Sequence, residues 1–148
     1  MLLTGTFNRA IDEKLRIAIP KSFREALGSS ADVLYVAPGT DGSLALYTEE
    51  ALAQLALRLG HSSPNAQDVR AFRRLFYAQA QAVELDAQGR VRIPSELAQL
   101  AGLSKEGVLL GVQDHLELWD RNRWIQYVAH QQTQFDQLAE SAFDRPTT

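Results

Sequence analysis

The 148-residue chain has no cysteine. Disulfide staples and thiolate metal ligands are therefore excluded, and a reducing cytoplasm is the compartment that fits. Histidine is scarce. His61, His115 and His130 are expected in a loop, a strand and a late helix, lack metal-ligand spacing, and read as structural or surface groups. No apolar run approaches the roughly 20 residues a membrane helix needs. The opening "MLLTGTFNRAIDEK" lacks a basic region followed by an apolar core, so no signal peptide is expected. P-loop, GxGxxG and GxSxG patterns are also missing. The expectation is a protein that is not an enzyme, with no catalytic residue, metal, cofactor or small-molecule substrate and no membrane partner.

Apolar residues make up 45% of the chain and charged residues 22%, the balance of a globular domain. The net charge of −3 speaks mildly against a nucleic-acid partner. Binding uses local fields, however, and the charge is segregated. Residues 9–24 hold Arg9, Lys14, Arg16, Lys21 and Arg24 against Asp12 and Glu13, whereas Asp136, Glu140 and Asp144 near the end face only Arg145.

The basic part coincides with a repeat. "DEKLRIAIP" at 12–20 is written again as "DAQGRVRIP" at 86–94, and Asp12, Arg16, Ile19, Pro20 and Gly28 match Asp86, Arg90, Ile93, Pro94 and Gly102 at a constant offset of 74. The likeness continues from "DVLYVA" to "GVLLGV", then from "SLALYTEEAL" to "HLELWDRNRW" at an offset of 72. Two tandem units follow: 1–60 and 81–135, with a linker helix at 61–80 and an acidic tail at 136–148. One unit alone buries too little surface to be stable, so the two are expected to face each other about a pseudo-two-fold axis.

Local chemistry predicts each unit's elements. An extended stretch leads to Asp, which favours the start of a turn and accepts backbone N–H bonds there. Gly89, three residues after Asp86, suits the left-handed position of a bulged hairpin turn. "RIAIP" and "RVRIP" alternate as half-buried strands. Pro20 and Pro94 are expected at the first helical position. Phe23, Ala26 and Leu27, or Leu97, Leu100 and Ala101, form the apolar faces, and Gly28 and Gly102 the stops. Two strands and a helix capped by Thr48 or Asp120 complete each unit. The linker helix starts at Ser63-Pro64, and its stripe Val69, Phe72, Leu75 and Phe76 is expected on the core. Its Arg70, Arg73 and Arg74 are expected on a solvated face.

In both copies an Arg follows the turn and opens a strand. Its planar fork suits phosphate or a guanine edge. The other reading is that Arg16 and Arg90 only pair with Asp12 and Asp86 to hold the turns; the residues alone leave both open. The copies also distribute basic groups differently: the first has Lys14 where the second has Gln88, and the second has Arg92 where the first has Ala18.

The doubled "LDxxGRxxIP" pattern, each copy followed by a helix ending "ALG" or "LAG", with a late "LELW", resembles the MraZ family, relatives of the AbrB-type swapped-hairpin transcription factors. The resemblance runs from about Leu3 to about residue 135. It implies an α+β fold in which two tandem AbrB/MraZ-like units form a pseudo-two-fold double-split β-barrel with flanking helices. It also implies a cytoplasmic, nucleoid-associated regulator of the division and cell-wall gene cluster, binding short direct repeats of promoter double-stranded DNA as a ring homo-oligomer. By motif match Arg16 and Arg90 contact DNA with Lys14, and Arg92 joins them. Asp12, Asp86 and Gly89 organise the turns. The alternatives are an AbrB-like antitoxin whose C-terminal segment wraps a toxin, and a structural ring scaffold. One departure stands out: the first motif carries Leu15 where the pattern has Gly. A left-handed Leu there costs about 1–2 kcal/mol.

Overall fold

The computed structural model describes residues 1–62 and 66–144. The first unit supplies β1 (Leu3–Ala10), β2 (Arg16–Ala18), α1 (Lys21–Leu27), β3 (Val33–Pro38), β4 (Leu44–Tyr47) and α2 (Glu49–Ser62). After α3 (Ala66–Tyr77), the second unit repeats the order with β5 (Gln81–Glu84), β6 (Arg90–Arg92), α4 (Ser95–Leu100), β7 (Glu106–Gln113), β8 (Leu116–Asp120) and α5 (Arg121–Gln131). A 3-10 turn then leads into α6 (Phe135–Phe143), where the sequence suggests a tail. The Ser63-Pro64 helix signal and Arg145 lie outside the described residues.

Neither unit completes a sheet by itself. The six-stranded antiparallel sheet runs β1-β7-β8-β4-β3-β5. Strand β1 of the first unit lies along β7 of the second, from Leu3↔Gln113 to Ala10↔Glu106, and β5 of the second lies along β3 of the first, from Val33↔Glu84 to Val36↔Gln81. The two units meet at mid-sheet through β4 and β8. Backbones approach closely at the first joint. A Cβ on Gly111 would stand 2.5 Å from the Thr4 nitrogen, so the glycine is what lets β1 seat against β7. The sheet ends at β1 and β5, and β2 and β6 pair with each other in a separate ribbon, so no closed barrel is found among the described residues.

The alternating pattern in the motif strands places Ile17, Ile19, Val91 and Ile93 on one side, where all four are buried. They join Phe23, Leu97, Leu34, Leu109 and Leu118 in one core drawn from both units. Each such side chain contributes roughly 1.5–3 kcal/mol by leaving water. Splitting the chain into independent halves would expose this core, which is why the repeat works only as a pair.

Several local expectations shift. Pro20 and Pro94 precede their helices as N-caps, with ψ of 143° and 138°, and offer carbonyls to the first turn. An extended ψ continues the strand direction until the next residue, so the helix begins one position later than expected. Ala26 and Leu100 are exposed; the short helices bury Phe23 and Leu27, or Leu97, Ala98 and Ala101. Thr48 caps α2 as expected, its Oγ1 accepting the Ala51 N–H at 3.1 Å. Asp120 stands at the N-cap of α5, but its carboxylate accepts from the Ser104 N–H and hydroxyl, at 3.2 and 2.7 Å, and makes no cap bond. It ties the approach to β7 to the end of β8 instead. His61 falls within α2, not in a loop, and His115 in the turn just before β8. Along α3 only Phe76 is buried; Phe72 and Leu75 remain exposed, the latter at 65%.

Candidate nucleic-acid interface

The ribbon is built by the two motif strands. Their register pairs Arg16 with Arg92, Ile17 with Val91 and Ala18 with Arg90. Ile17 and Val91 face the core, so alternation turns Arg16, Arg90 and Arg92 to the opposite face. The sequence suggests a hairpin within each unit. Each turn is indeed closed by its own backbone bonds, Asp12 N–H to Arg16 O at 3.1 Å and Asp86 N–H to Arg90 O at 2.9 Å. The strand that follows then takes its ladder partner from the other unit.

The two aspartates bind their turns in the same way. Asp12 Oδ1 accepts the Lys14 and Arg16 N–H groups at 2.9 and 2.8 Å, and Oδ2 accepts Arg16 Nε at 2.7 Å. Asp86 Oδ1 accepts the Gln88 and Arg90 N–H groups at 2.9 and 3.0 Å, and Oδ2 accepts Arg90 Nε at 3.0 Å. The Arg16 N–H, with the Arg16 guanidinium and the Lys14 N–H, outweighs desolvation and holds Asp12 below the usual carboxylate value. The Arg90 N–H, with the Gln88 N–H and the Arg90 guanidinium, does the same for Asp86. Both carboxylates therefore stay ionised well into acid.

This geometry joins the two readings that the sequence leaves open. Each Arg spends Nε on its Asp. Among the described residues its terminal nitrogens take no hydrogen bond, so the end of the fork is left to donate outward. Lys14, Arg16, Arg90 and Arg92 line one cleft of about 280 Å³ together with Glu84 and Asp86. With Asp12 on Arg16, four cations stand against three carboxylates, which leaves the cleft locally basic on a chain whose net charge is −3.

Leu15 has φ of 62° and Gly89 φ of 74°, so the positions after Lys14 and Gln88 share the left-handed conformation despite their different residues. Leu15 O accepts the Ile93 N–H at 2.8 Å and Gly89 O the Ile19 N–H at 2.9 Å, joining each turn to the other unit. Two arginines reinforce these joints. Arg92 Nε donates to Lys14 O at 2.9 Å. The Arg24 guanidinium lies over Gly89, 3.0 Å from where a Cβ would stand, with Nε donating to Ile19 O at 3.1 Å. Arg24 is not among the sequence-derived site residues. Its one visible signal is the mismatch with its counterpart, Ala98, at the 74-residue offset.

The sequence carries the same doubling into its comparisons. The family model described as "MraZ protein, putative antitoxin-like" matches twice, over residues 2–75 and 76–146. A protein named Transcriptional regulator MraZ from Lactiplantibacillus plantarum is 42% identical over 140 residues, covering 95% of this chain and 97% of the relative. Those of the same name from Desulforamulus reducens and Ligilactobacillus salivarius are 36% and 37% identical over 143 residues, each covering 97% of this chain and 99% and 98% of the relative. With two family matches tiling almost the whole length and relatives aligned from end to end, the chain belongs to the MraZ family.

Proposed function

We propose that the protein is a DNA-binding transcriptional regulator and that the β2–β6 ribbon is its reading surface. The observation that carries this is the antiparallel pairing of the two motif strands, which presents both Asp-anchored arginines on one basic face. A two-stranded ribbon is narrow enough for the major groove, and an anchored guanidinium suits a guanine edge or a phosphate. Arg16 and Arg90 make the principal contacts, with Lys14 and Arg92 beside them. Asp12, Asp86 and Gly89 hold the turns. The exchange of β1 and β5 between units supports a pseudo-two-fold arrangement of the split-barrel kind. The names of the relatives support the regulatory role in the cytoplasm.

The finer reading is a nucleoid-associated ring of copies on short direct repeats upstream of a division and cell-wall gene cluster. One ribbon offers few base contacts, so a single copy binds weakly, and copies linked on tandem boxes gain affinity through effective concentration. The test is fluorescence anisotropy with DNA from immediately upstream of the gene, against a scrambled duplex, over a salt series. Preference for the upstream DNA and a steep fall in affinity with salt are expected, because several subunits together displace many counterions. Equal binding to both duplexes, or an affinity indifferent to salt, overturns the proposal.

A further inference from the structure

The 74-residue offset lays the two motif strands over one another, Arg16-Ile17-Ala18 on Arg90-Val91-Arg92. In the ribbon they run antiparallel, with Ile17 opposite Val91, Arg16 opposite Arg92 and Ala18 opposite Arg90. A two-fold axis through the Ile17–Val91 pair therefore exchanges Arg16 with Arg90, and it exchanges Arg92 with Ala18. The first exchange preserves the surface and the second does not. One end of the ribbon carries two guanidiniums across from each other; the other carries one guanidinium across from a methyl group. The turns add to the contrast. Lys14 belongs to the first end, where its counterpart at the second is Gln88. Glu13, with Ala87 as counterpart, returns one negative charge to the first end. Lys14, Arg16 and Arg92 still outnumber Asp12 and Glu13 there. At the second end Arg90 is matched by Asp86, with Glu84 in the same cleft.

Arg92 is held like the two motif arginines, but by a different group. Arg16 and Arg90 give Nε to Asp12 and Asp86, and Arg92 gives Nε to Lys14 O at 2.9 Å. Among the described residues none of the three has a hydrogen bond at its terminal nitrogens. Each offers a fork with a fixed root and an open end, which suits the paired acceptors of a guanine edge. Unlike the other two, Arg92 has no ion pair among the described residues. Like charges directly opposite in a β pair are destabilising, so setting Arg92 across from Arg16 costs the free protein stability. A neutral donor could reach Lys14 O without that cost. Side chains directly opposite on a ribbon stand about 5 Å apart, and bases along one strand about 3.4 Å apart. The forks of Arg16 and Arg92 therefore serve neighbouring base pairs.

We propose that Arg92 is a third base-reading arginine, and that with Ala18 in the equivalent position it gives the ribbon a direction. The ribbon then seats on a non-palindromic box in one orientation, reading guanines more closely at the Arg16–Arg92 end than at the Arg90 end. This rests on the ribbon being the DNA-reading surface and specifies which half of the box it reads harder.

The test is selection by the full-length protein from a duplex library randomised over about three helical turns, roughly 30 base pairs. Wild type is expected to select a motif that is not its own reverse complement. Arg92→Ala should lose a guanine preference at one position on one side of that motif and keep the rest. Its affinity for the wild-type motif should fall about 10–100-fold. Arg92→Gln, whose amide can still donate to Lys14 O, should lose the same guanine preference. Ala18→Arg combined with Arg92→Ala moves the third fork to the other end, where Gln88 O is the equivalent anchor, and should move the preference to the opposite side of the motif. Preferences kept at the other positions show that a variant is folded. If Arg92→Ala selects nothing, Arg92→Gln decides between the same outcomes. A palindromic wild-type motif overturns the proposal by removing the direction. Arg92 variants that select the wild-type motif unchanged, however weakly they bind it, also overturn it, leaving Arg92 as a brace of the first turn or a phosphate contact. Both of those results leave the ribbon a reader of DNA. A wild type that selects no motif at all overturns the DNA-reading function as well.

Discussion

The two Asp-Arg turns have the same backbone and the same anchoring bonds, yet they are completed differently. The first carries Leu15 in a left-handed conformation, and that side chain packs against the core. The second carries Gly89, and the space a side chain would take is occupied by Arg24 from the first unit. The counterpart of Arg24 is the small, buried Ala98. A large residue at the turn thus goes with a small one on the opposing unit's helix, and a small turn residue with a large one. The bracing arginines follow the same logic. Turn one is gripped by Arg92 of the second unit, and turn two is covered by Arg24 of the first, from non-equivalent positions. The repeat keeps hydrogen bonds and volume, and lets residue identity drift around them.

The largest effect tests what is shared. Arg16→Ala and Arg90→Ala should each weaken binding to upstream DNA by about 10–100-fold, the scale of one bidentate base contact at 1–3 kcal/mol. Thermal stability should hold. If one variant binds like wild type, the two turns are not equivalent readers and only one contacts DNA.

Acid tests the shared anchor. The Arg N–H groups lower both aspartate values in the folded chain from the ordinary 3.8. A lowered folded value means the stabilisation is complete above the unfolded value and is lost as pH falls through the folded one. The turns should therefore hold at pH 5 and loosen together below about pH 4. Carboxyl carbon NMR titration should give both residues midpoints under 3.8. An ordinary midpoint for either would mean that its anchoring bonds are not held in solution.

The next test exchanges what differs. Gly89→Leu imposes a left-handed penalty of about 1–2 kcal/mol and drives a side chain into the Arg24 guanidinium. Adding Arg24→Ala gives this turn the residue types that Leu15 and Ala98 have at the equivalent positions of the repeat. In urea melts the double variant should be more stable than Gly89→Leu alone, a coupling in the range of about 0.5–3 kcal/mol expected for residues in contact. Additive losses would mean that volume is not what the two sites trade.

Much of this frame is legible in sequence because it is local. Asp at the turn, alternation in "RIAIP" and "RVRIP", the stop at Gly28 and the Thr48 cap all follow from residues within a few positions of one another. The exchanged strands are not legible in this way. "GTFNRA" reads as extended, but no nearby residue says that its partner is β7; that depends on Gly111, more than a hundred positions away. The Arg24–Gly89 cover and the Arg92–Lys14 grip are hidden for the same reason. Asp120 misleads because a buried carboxylate takes whichever donors the tertiary fold supplies, and Ser104 supplies two. The stripe on α3 misleads because apolar spacing identifies a face without saying how much of it the fold covers, and here only Phe76 is buried.

The smallest effect is expected where the sequence raises the sharpest objection, at Leu15. Glycine there would remove a left-handed penalty of about 1–2 kcal/mol. It would also add backbone entropy to the unfolded chain, at about 0.5–1 kcal/mol. Losing a half-buried side chain costs roughly half of the 1.5–3 kcal/mol that full burial of a Leu provides. These terms nearly cancel, so Leu15→Gly should shift stability by less than about 1 kcal/mol and leave DNA affinity unchanged. Gly89→Leu, the mirror-image change, should cost more because its space is already filled. A Leu15→Gly variant more stable than wild type by well over 1 kcal/mol would show that Leu15 packs too weakly to compensate its own strain. The two turns would then differ in strain as well as in sequence.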